Sequence, residues 1–233
     1  MDWTTAIDIY CERTAAGFWA EPLNAWSNLS FPLAALWAGM AARREGGASA
    51  EYWILVALAA LVGVGSFLFH TFANVWSEYA DTIPIWMFVA AAILVAIRRV
   101  AGLRPGPLAV LALAAGAALV VAYLAPTDPI AQPAPPADPL NGSGQYAPAL
   151  AAMAAMAALA WWRGLPTRHT LLAATVVFVA ALTFRTIDLR VCAAFPTGTH
   201  FLWHLLLGVM VGLILHALRD GAAPSPQTGI VRP

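Results

Sequence analysis

Seven separate stretches of roughly 17 to 22 mostly apolar residues run through this chain, at about 24–42, 51–72, 79–97, 107–125, 146–162, 169–187 and 199–218. A helix of about 20 residues closes its backbone hydrogen bonds internally, so segments of this length and composition read as bilayer crossings. Hydrophobic residues make up 61% of the 233 positions and charged residues 10%, with mean hydropathy +0.73. That is more apolar surface than one soluble domain buries, which argues against a soluble enzyme. The expected fold is all-α, an integral membrane bundle of seven transmembrane helices. Formal net charge is zero and no basic run is interleaved with aromatics, so no nucleic-acid partner is expected.

Arginine supplies every one of the 12 basic residues, and its placement predicts orientation, because basic residues near span ends are retained in the cytoplasm. Arg43, Arg44, Arg98, Arg99, Arg104, Arg163, Arg168, Arg219 and Arg232 follow spans 1, 3, 5 and 7. Asp2, Asp8, Glu12, Glu21, Glu78, Asp81, Asp128, Asp138 and Asp188 crowd the other set of segments, against only Arg13, Arg185 and Arg190. The N-terminus is therefore expected outside and the C-terminus in the cytoplasm. Residues 1–219 read as a single bundle domain with an external segment at 1–23, and 220–233 as a disordered cytoplasmic tail. Met1 to Ala20 lacks the basic and apolar regions of a cleaved signal peptide, so the first span is expected to direct insertion. Pro126 to Gly144, rich in Pro and Gly, reads as an extended external loop. The compact, arginine-only composition points to a bacterial inner membrane.

Ionisable side chains inside apolar spans are costly, and they usually face the bundle interior where they do something. Span 2 ends with Ser66 and His70, four residues and one turn apart on one helix face. Span 3 opens with Glu78 and Asp81, followed by Pro84, which a first helical turn tolerates. Span 7 opens with His200 and His204, again an i,i+4 pair. The assigned topology brings Ser66, His70, Asp81, His200 and His204 to one depth near the outer surface.

Three imidazoles with one open position form the ligand set of a hydrolytic zinc site, so His70, His200 and His204 are the expected zinc ligands. Asp81 is the candidate proton acceptor and donor, and Ser66 a candidate hydrogen-bond donor to a substrate carbonyl or bound water. Interhelical hydrogen bonding is the competing role for any one intramembrane histidine. His169 and His216 fall at the opposite ends of their spans and read as interface residues. The tryptophans near span ends read as an aromatic belt.

Ahead of span 1, Asp8, Glu12 and Glu21 offer oxygen ligands of the kind a calcium ion takes, although a solvated acidic segment is the commoner meaning of such a pattern. Asn24, Ser27 and Asn28 share one helix face and are expected to hydrogen-bond across helices. Cys11 and Cys192 both fall outside in this topology, where disulfides persist, so a bridge between them is expected.

Four blocks in this order and spacing resemble the alkaline ceramidase family, within a wider superfamily of seven-helix membrane hydrolases that includes the adiponectin receptors. They are Tyr10-Cys11-Glu12 with Glu21 to Asn28; Gly65 to His70 with Asp81; Ile187-Asp188 with Cys192; and His200 to Leu206. The resemblance implies zinc on His70, His200 and His204, with Asp81 and Ser66 as catalytic partners. It also implies water attack on the amide of an N-acyl sphingoid lipid, giving a fatty acid and a free base. It further implies calcium held by Glu12, Glu21 and the Tyr10 carbonyl, with Asp8 and Thr14 as additional ligands. The family pattern Asp-Trp-Cys-Glu-x-Asn is altered here: Asp8 stands one residue early, Tyr10 replaces Trp and Thr14 replaces Asn. Two other classes compete. One is a receptor-like or scaffold membrane protein with a structural zinc site, which would have no need of Asp81 beside an open position. The other is a haem protein, which requires opposed histidines rather than an i,i+4 pair.

Overall fold

In this computed structural model, residues 2–103 and 138–219 are described, with a few single positions between 106 and 116. Among the described residues the architecture is helical. A short helix α1 (Pro22–Ser27) precedes α2 (Ser30–Arg44), α3 (Ala50–Phe72) and α4 (Val75–Ala96), the last running into a π-helical turn, Ile97–Ala101. After a 3₁₀ turn at Ser143–Tyr146 come α5 (Ala147–Trp162), α6 (Arg168–Val191) and α7 (His200–Ala217). Four of these are long and apolar enough to cross a membrane: α3, α4 with its π turn, α6 and α7. Most of the expected span at 107–125, most of the loop from Pro126 and the tail from 220 lie outside the described residues.

Two expectations are corrected. The first apolar stretch is not one helix: the chain turns at Asn28 and Leu29, so α1 and α2 are separate. The third begins at Val75, capped by Asn74, whose side chain accepts from the Ser77 backbone while the Ser77 hydroxyl reaches back. This earlier start places Glu78 and Asp81 inside α4 and Pro84 in its interior, not in its first turn. Pro84 has no N–H to give to the Ala80 carbonyl four residues back. That carbonyl faces Gly65 of α3, where a Cβ would collide with it. Only glycine allows α3 and α4 to close there, which brings Ser66 beside Asp81.

Packing of this kind, small residues against backbone, is how membrane helices associate when lipid removes the hydrophobic drive between them. Ala35, Ala38 and Ala42 of α2 are buried in the same core as Leu55, Ala59 and Val62 of α3 and Leu207, Val211 and Leu215 of α7. At the arginine-rich end, Arg98 and Arg99 pair with Glu51, and Arg219 with Glu45. His70, Asp81 and His200 sit at the opposite helix ends.

The N-terminal segment is docked onto that second end. Ile7 N–H donates to the Ala73 carbonyl at 2.8 Å, and Val75 N–H to that of Thr5 at 3.2 Å, lashing the segment to the α3–α4 corner. Cys11 is bonded to Cys192 just past α6, with Cα atoms 5.3 Å apart, as the topology predicts. Asp188, fully buried in α6, accepts from the backbone N–H groups of Cys11, Thr199 and His200 at 3.2, 2.6 and 2.9 Å. A single carboxylate thereby caps the start of α7 and holds the N-terminal segment against it. Gly198, at φ +63°, makes the turn that lets this happen.

Candidate metal centre

Two helix ends deliver the three imidazoles. His70 lies in the last turn of α3, and His200 and His204 occupy the first turns of α7, each no more than 2% exposed. Their ring centroids stand 4.6 to 5.2 Å apart, and one ligand nitrogen from each ring falls within 4.8 Å of the others. Among the described residues no other group of three or more His, Cys, Asp or Glu converges in this way.

Hydrogen bonding assigns the tautomers. The Ser27 hydroxyl donates its one proton to the Asn24 carbonyl at 2.8 Å, so it accepts from His204 Nδ1–H at 2.8 Å. The Glu21 carboxylate accepts from His70 Nδ1–H at 2.6 Å. Both rings therefore keep Nε2 as a free lone pair, the form in which a histidine binds a metal. His200 Nδ1 is buried with no hydrogen-bond partner. A buried polar nitrogen left unsatisfied beside two oriented imidazoles fits a cation, so this donor set suits a divalent ion such as zinc. The expected inward face of Asn24, Ser27 and Asn28 is present, and α1 carries its own share of the support for the centre.

Ser66 and Asp81 line one cavity of about 140 Å³ with His200 and His204. The Ser66 side chain hydrogen-bonds the Asp81 carboxylate, while Asp81 Oδ1 is buried and has no hydrogen-bond partner. The deeper wall is apolar, from Phe31, Val62 and Leu207, and the remainder includes Trp203, Tyr146 and Arg185. His169 packs on Trp161 and His216 beside Trp37, away from the cluster.

The residues expected to hold calcium are otherwise engaged. Glu12 accepts the backbone N–H groups of Leu23 and Asn24 at 2.7 and 2.8 Å, one on each oxygen, and so caps α1; its burial pushes its carboxyl up. Glu21 Oε1 accepts from Arg13 Nε–H at 2.5 Å, and Oε2 accepts from His70 Nδ1–H and Asn24 Nδ2–H. Burial pushes the Glu21 carboxyl up, but the hydrogen bonds from His70, Asn24 and Arg13 outweigh it and leave it below the usual range. The Tyr10 carbonyl accepts from Arg13 N–H at 3.3 Å, and Asp8 and Thr14 stand exposed. Arg13, its side chain only 7% exposed, also donates to the His70 carbonyl at 3.2 Å. The local positive charge is a guanidinium, and this oxygen set does not fit calcium as well.

Tyr10 serves the site through its ring instead. It stacks on His200 with centroids 3.7 Å apart, and burial pushes its hydroxyl up to about 12, so it is a neutral hydrogen-bonding group. That hydroxyl accepts from Arg185 Nη1 at 3.0 Å. Arg185, expected in an external loop, instead lies in α6 and is buried against the cavity. Its i,i+3 spacing to Asp188 on an apolar helix was the available signal for an inward face.

A family model described as Ceramidase matches residues 3–135, a stretch that holds the N-terminal block, Ser66, His70 and Asp81, with His200 and His204 beyond it. No curated protein matches the chain.

Proposed function

The chain belongs to the ceramidase family, and from that membership we propose that it is a zinc-dependent intramembrane hydrolase. It cleaves the amide bond of ceramide or a related N-acyl sphingoid lipid, with water, to a fatty acid and a free sphingoid base. The observation that carries this reading is the shared cavity: His200, His204, Ser66 and Asp81 line one space, with His70 packed against both histidines.

His70 and His204 would hold zinc through Nε2, with His200 as third ligand. When bound, the ion would supply Lewis acidity, activating a water and polarising the amide carbonyl. Asp81, with one oxygen unpartnered, takes the proton from the attacking water and passes it to the leaving amine. Ser66 holds that carboxylate in place. Once Asp81 is protonated it can donate to Ser66 Oγ, which frees the Ser66 proton for the carbonyl oxygen as charge builds there. The apolar wall of Phe31, Val62 and Leu207 takes the acyl chain.

The rest of the reading concerns the bilayer. Residues 1–219 act as one domain of seven spans, its N-terminus and catalytic end outside and its arginine-rich end in the cytoplasm. The substrate reaches the site sideways from the outer leaflet of a bacterial inner membrane. The clustering of Arg98, Arg99 and Arg219 at the end away from the histidines supports this orientation.

Mass spectrometry of the products tests the proposal. Purified wild-type protein and Asp81→Asn are given a panel of ceramides and other N-acyl lipids, and bound zinc is measured in both. Fatty acid release by the wild type, lost in Asp81→Asn with zinc retained, supports the hydrolase. No release by zinc-loaded wild type overturns it in favour of a receptor or scaffold with a structural metal.

A further inference from the structure

Arg185 is 8% exposed and sits in the part of α6 that faces the cavity. Three aromatic rings surround its guanidinium: Cζ lies 5.8 Å from the Tyr10 ring and 5.5 Å from those of Tyr146 and Trp203. Among the described residues its one side-chain hydrogen bond goes to a neutral acceptor, the Tyr10 hydroxyl, and Nε is buried without a partner. Asp81 and Glu78 line the same cavity. Among the described residues, neither they nor any other carboxylate comes within ion-pair distance of Arg185.

A buried cation is costly unless it is paired, and the faces of aromatic rings offset only part of that cost. A guanidinium also carries five N–H donors in a planar fork suited to a carboxylate or phosphate. Arg185 thus shows an unfilled demand for an anion inside the space assigned to the substrate.

The cavity itself indicates which part of the substrate meets it. Phe31, Val62 and Leu207 line the apolar side, deeper in the bundle than the histidines. Arg185 lies level with the imidazoles: it bonds the hydroxyl of Tyr10, whose ring stacks on His200. An acyl chain in the apolar part leaves the amine half of the substrate facing the guanidinium.

We infer that Arg185 is an anion subsite, and that the preferred substrates are N-acyl lipids with a carboxylate or phosphate on the amine half. The inference rests on the hydrolase reading and shifts its substrate class from neutral ceramide to anionic N-acyl lipids, sphingoid or amino-acid. Tyr10 and Trp203 position the fork, and Gly142 leaves it room, since a Cβ there would come within 3.1 Å of Nη2.

The test compares three lipids of equal acyl length: a neutral ceramide, its 1-phosphate and an N-acyl amino acid. kcat/KM is measured for wild type, Arg185→Gln and Arg185→Lys, with zinc content determined for each. The second arm titrates metal-stripped protein in detergent with the same lipids, following tryptophan fluorescence, since Trp203 adjoins the guanidinium. The expected result is preference for one or both anionic lipids, with the anionic-to-neutral ratio falling about 10- to 100-fold in Arg185→Gln and less in Arg185→Lys. Whichever anionic lipid loses its advantage identifies the group that Arg185 receives. A wild type that favours the neutral lipid, or a ratio unchanged in Arg185→Gln, overturns the subsite. If no lipid is hydrolysed, the hydrolase reading fails, and selective binding of anionic lipid to the metal-stripped wild type still decides the subsite by itself.

Discussion

The Ser27 hydroxyl stands 2.8 Å from His204 Nδ1 and, because its own proton goes to the Asn24 carbonyl, it can only accept there. A residue of the short first helix therefore sets the tautomer of a proposed zinc ligand that follows it by 177 positions. Ser27→Ala should weaken zinc binding by about 10- to 100-fold, the usual cost of losing such a partner. Competition with a graded chelator measures it. Unchanged affinity would mean that His204 is oriented by packing alone.

The Arg13 to Glu21 pair makes a second prediction. Calcium or a calcium-selective chelator should leave the melting temperature and zinc content of the wild type unchanged. Arg13→Leu leaves the buried Glu21 charge without its cation and should cost about 3 to 5 kcal/mol of stability. Added calcium should then stabilise that variant and not the wild type, as thermal unfolding in detergent would record. Saturable calcium binding by the wild type, lost in Glu21→Gln, would refute this account of the guanidinium.

Gly65 is the contact point of α3 with the Ala80 carbonyl. Gly65→Ala must push the two helices apart and with them Ser66 from Asp81. A displacement near 1 Å at reacting groups costs about 100-fold in rate, so turnover should fall by that order. The three histidines lie beyond this contact, and bound zinc, measured by elemental analysis, should be retained.

The Cys11–Cys192 bridge closes a separation of 181 positions between the N-terminal segment and the loop that leads into α7. The paired replacement Cys11→Ser with Cys192→Ser should lower stability by about 2 to 5 kcal/mol. Because Asp188 still caps α7, the helix itself should persist, and circular dichroism would show near-normal helical content below the lowered midpoint.

What could be read before any coordinates follows from what periodicity and spacing encode. The i,i+4 pairs Ser66/His70 and His200/His204 share faces by helix geometry alone, so their convergence was legible. The partners of those residues were not. Glu21 reaches His70 across 49 positions and Asp188 reaches Cys11 across 177, contacts that only the folded topology creates. Pro84 looked like a first-turn residue because hydropathy places a span where apolar residues begin. The helix begins earlier, at a polar capping box on Asn74 and Ser77. Arg185 reads with the external charges although it stands inside the apolar stretch 169–187, because its burial against three aromatic rings is created only by the fold. The oxygen-rich N-terminal block suggested a metal because composition shows the acceptors, while the donors that occupy them, Arg13 and the backbone of Leu23 and Asn24, become visible only in three dimensions.

The cap that Asp188 places over Cys11, Thr199 and His200 has a consequence for biosynthesis. His200 and His204 are synthesised well after Ser27 and Glu21, which orient His204 and His70. The segment before α2 can complete the cluster only after α7 has been made and Cys11 joined to Cys192. A nascent, truncated or reduced chain is thus a set of inserted helices without a centre. The proposed lipid cleavage would then begin only once α7 has joined the N-terminal segment.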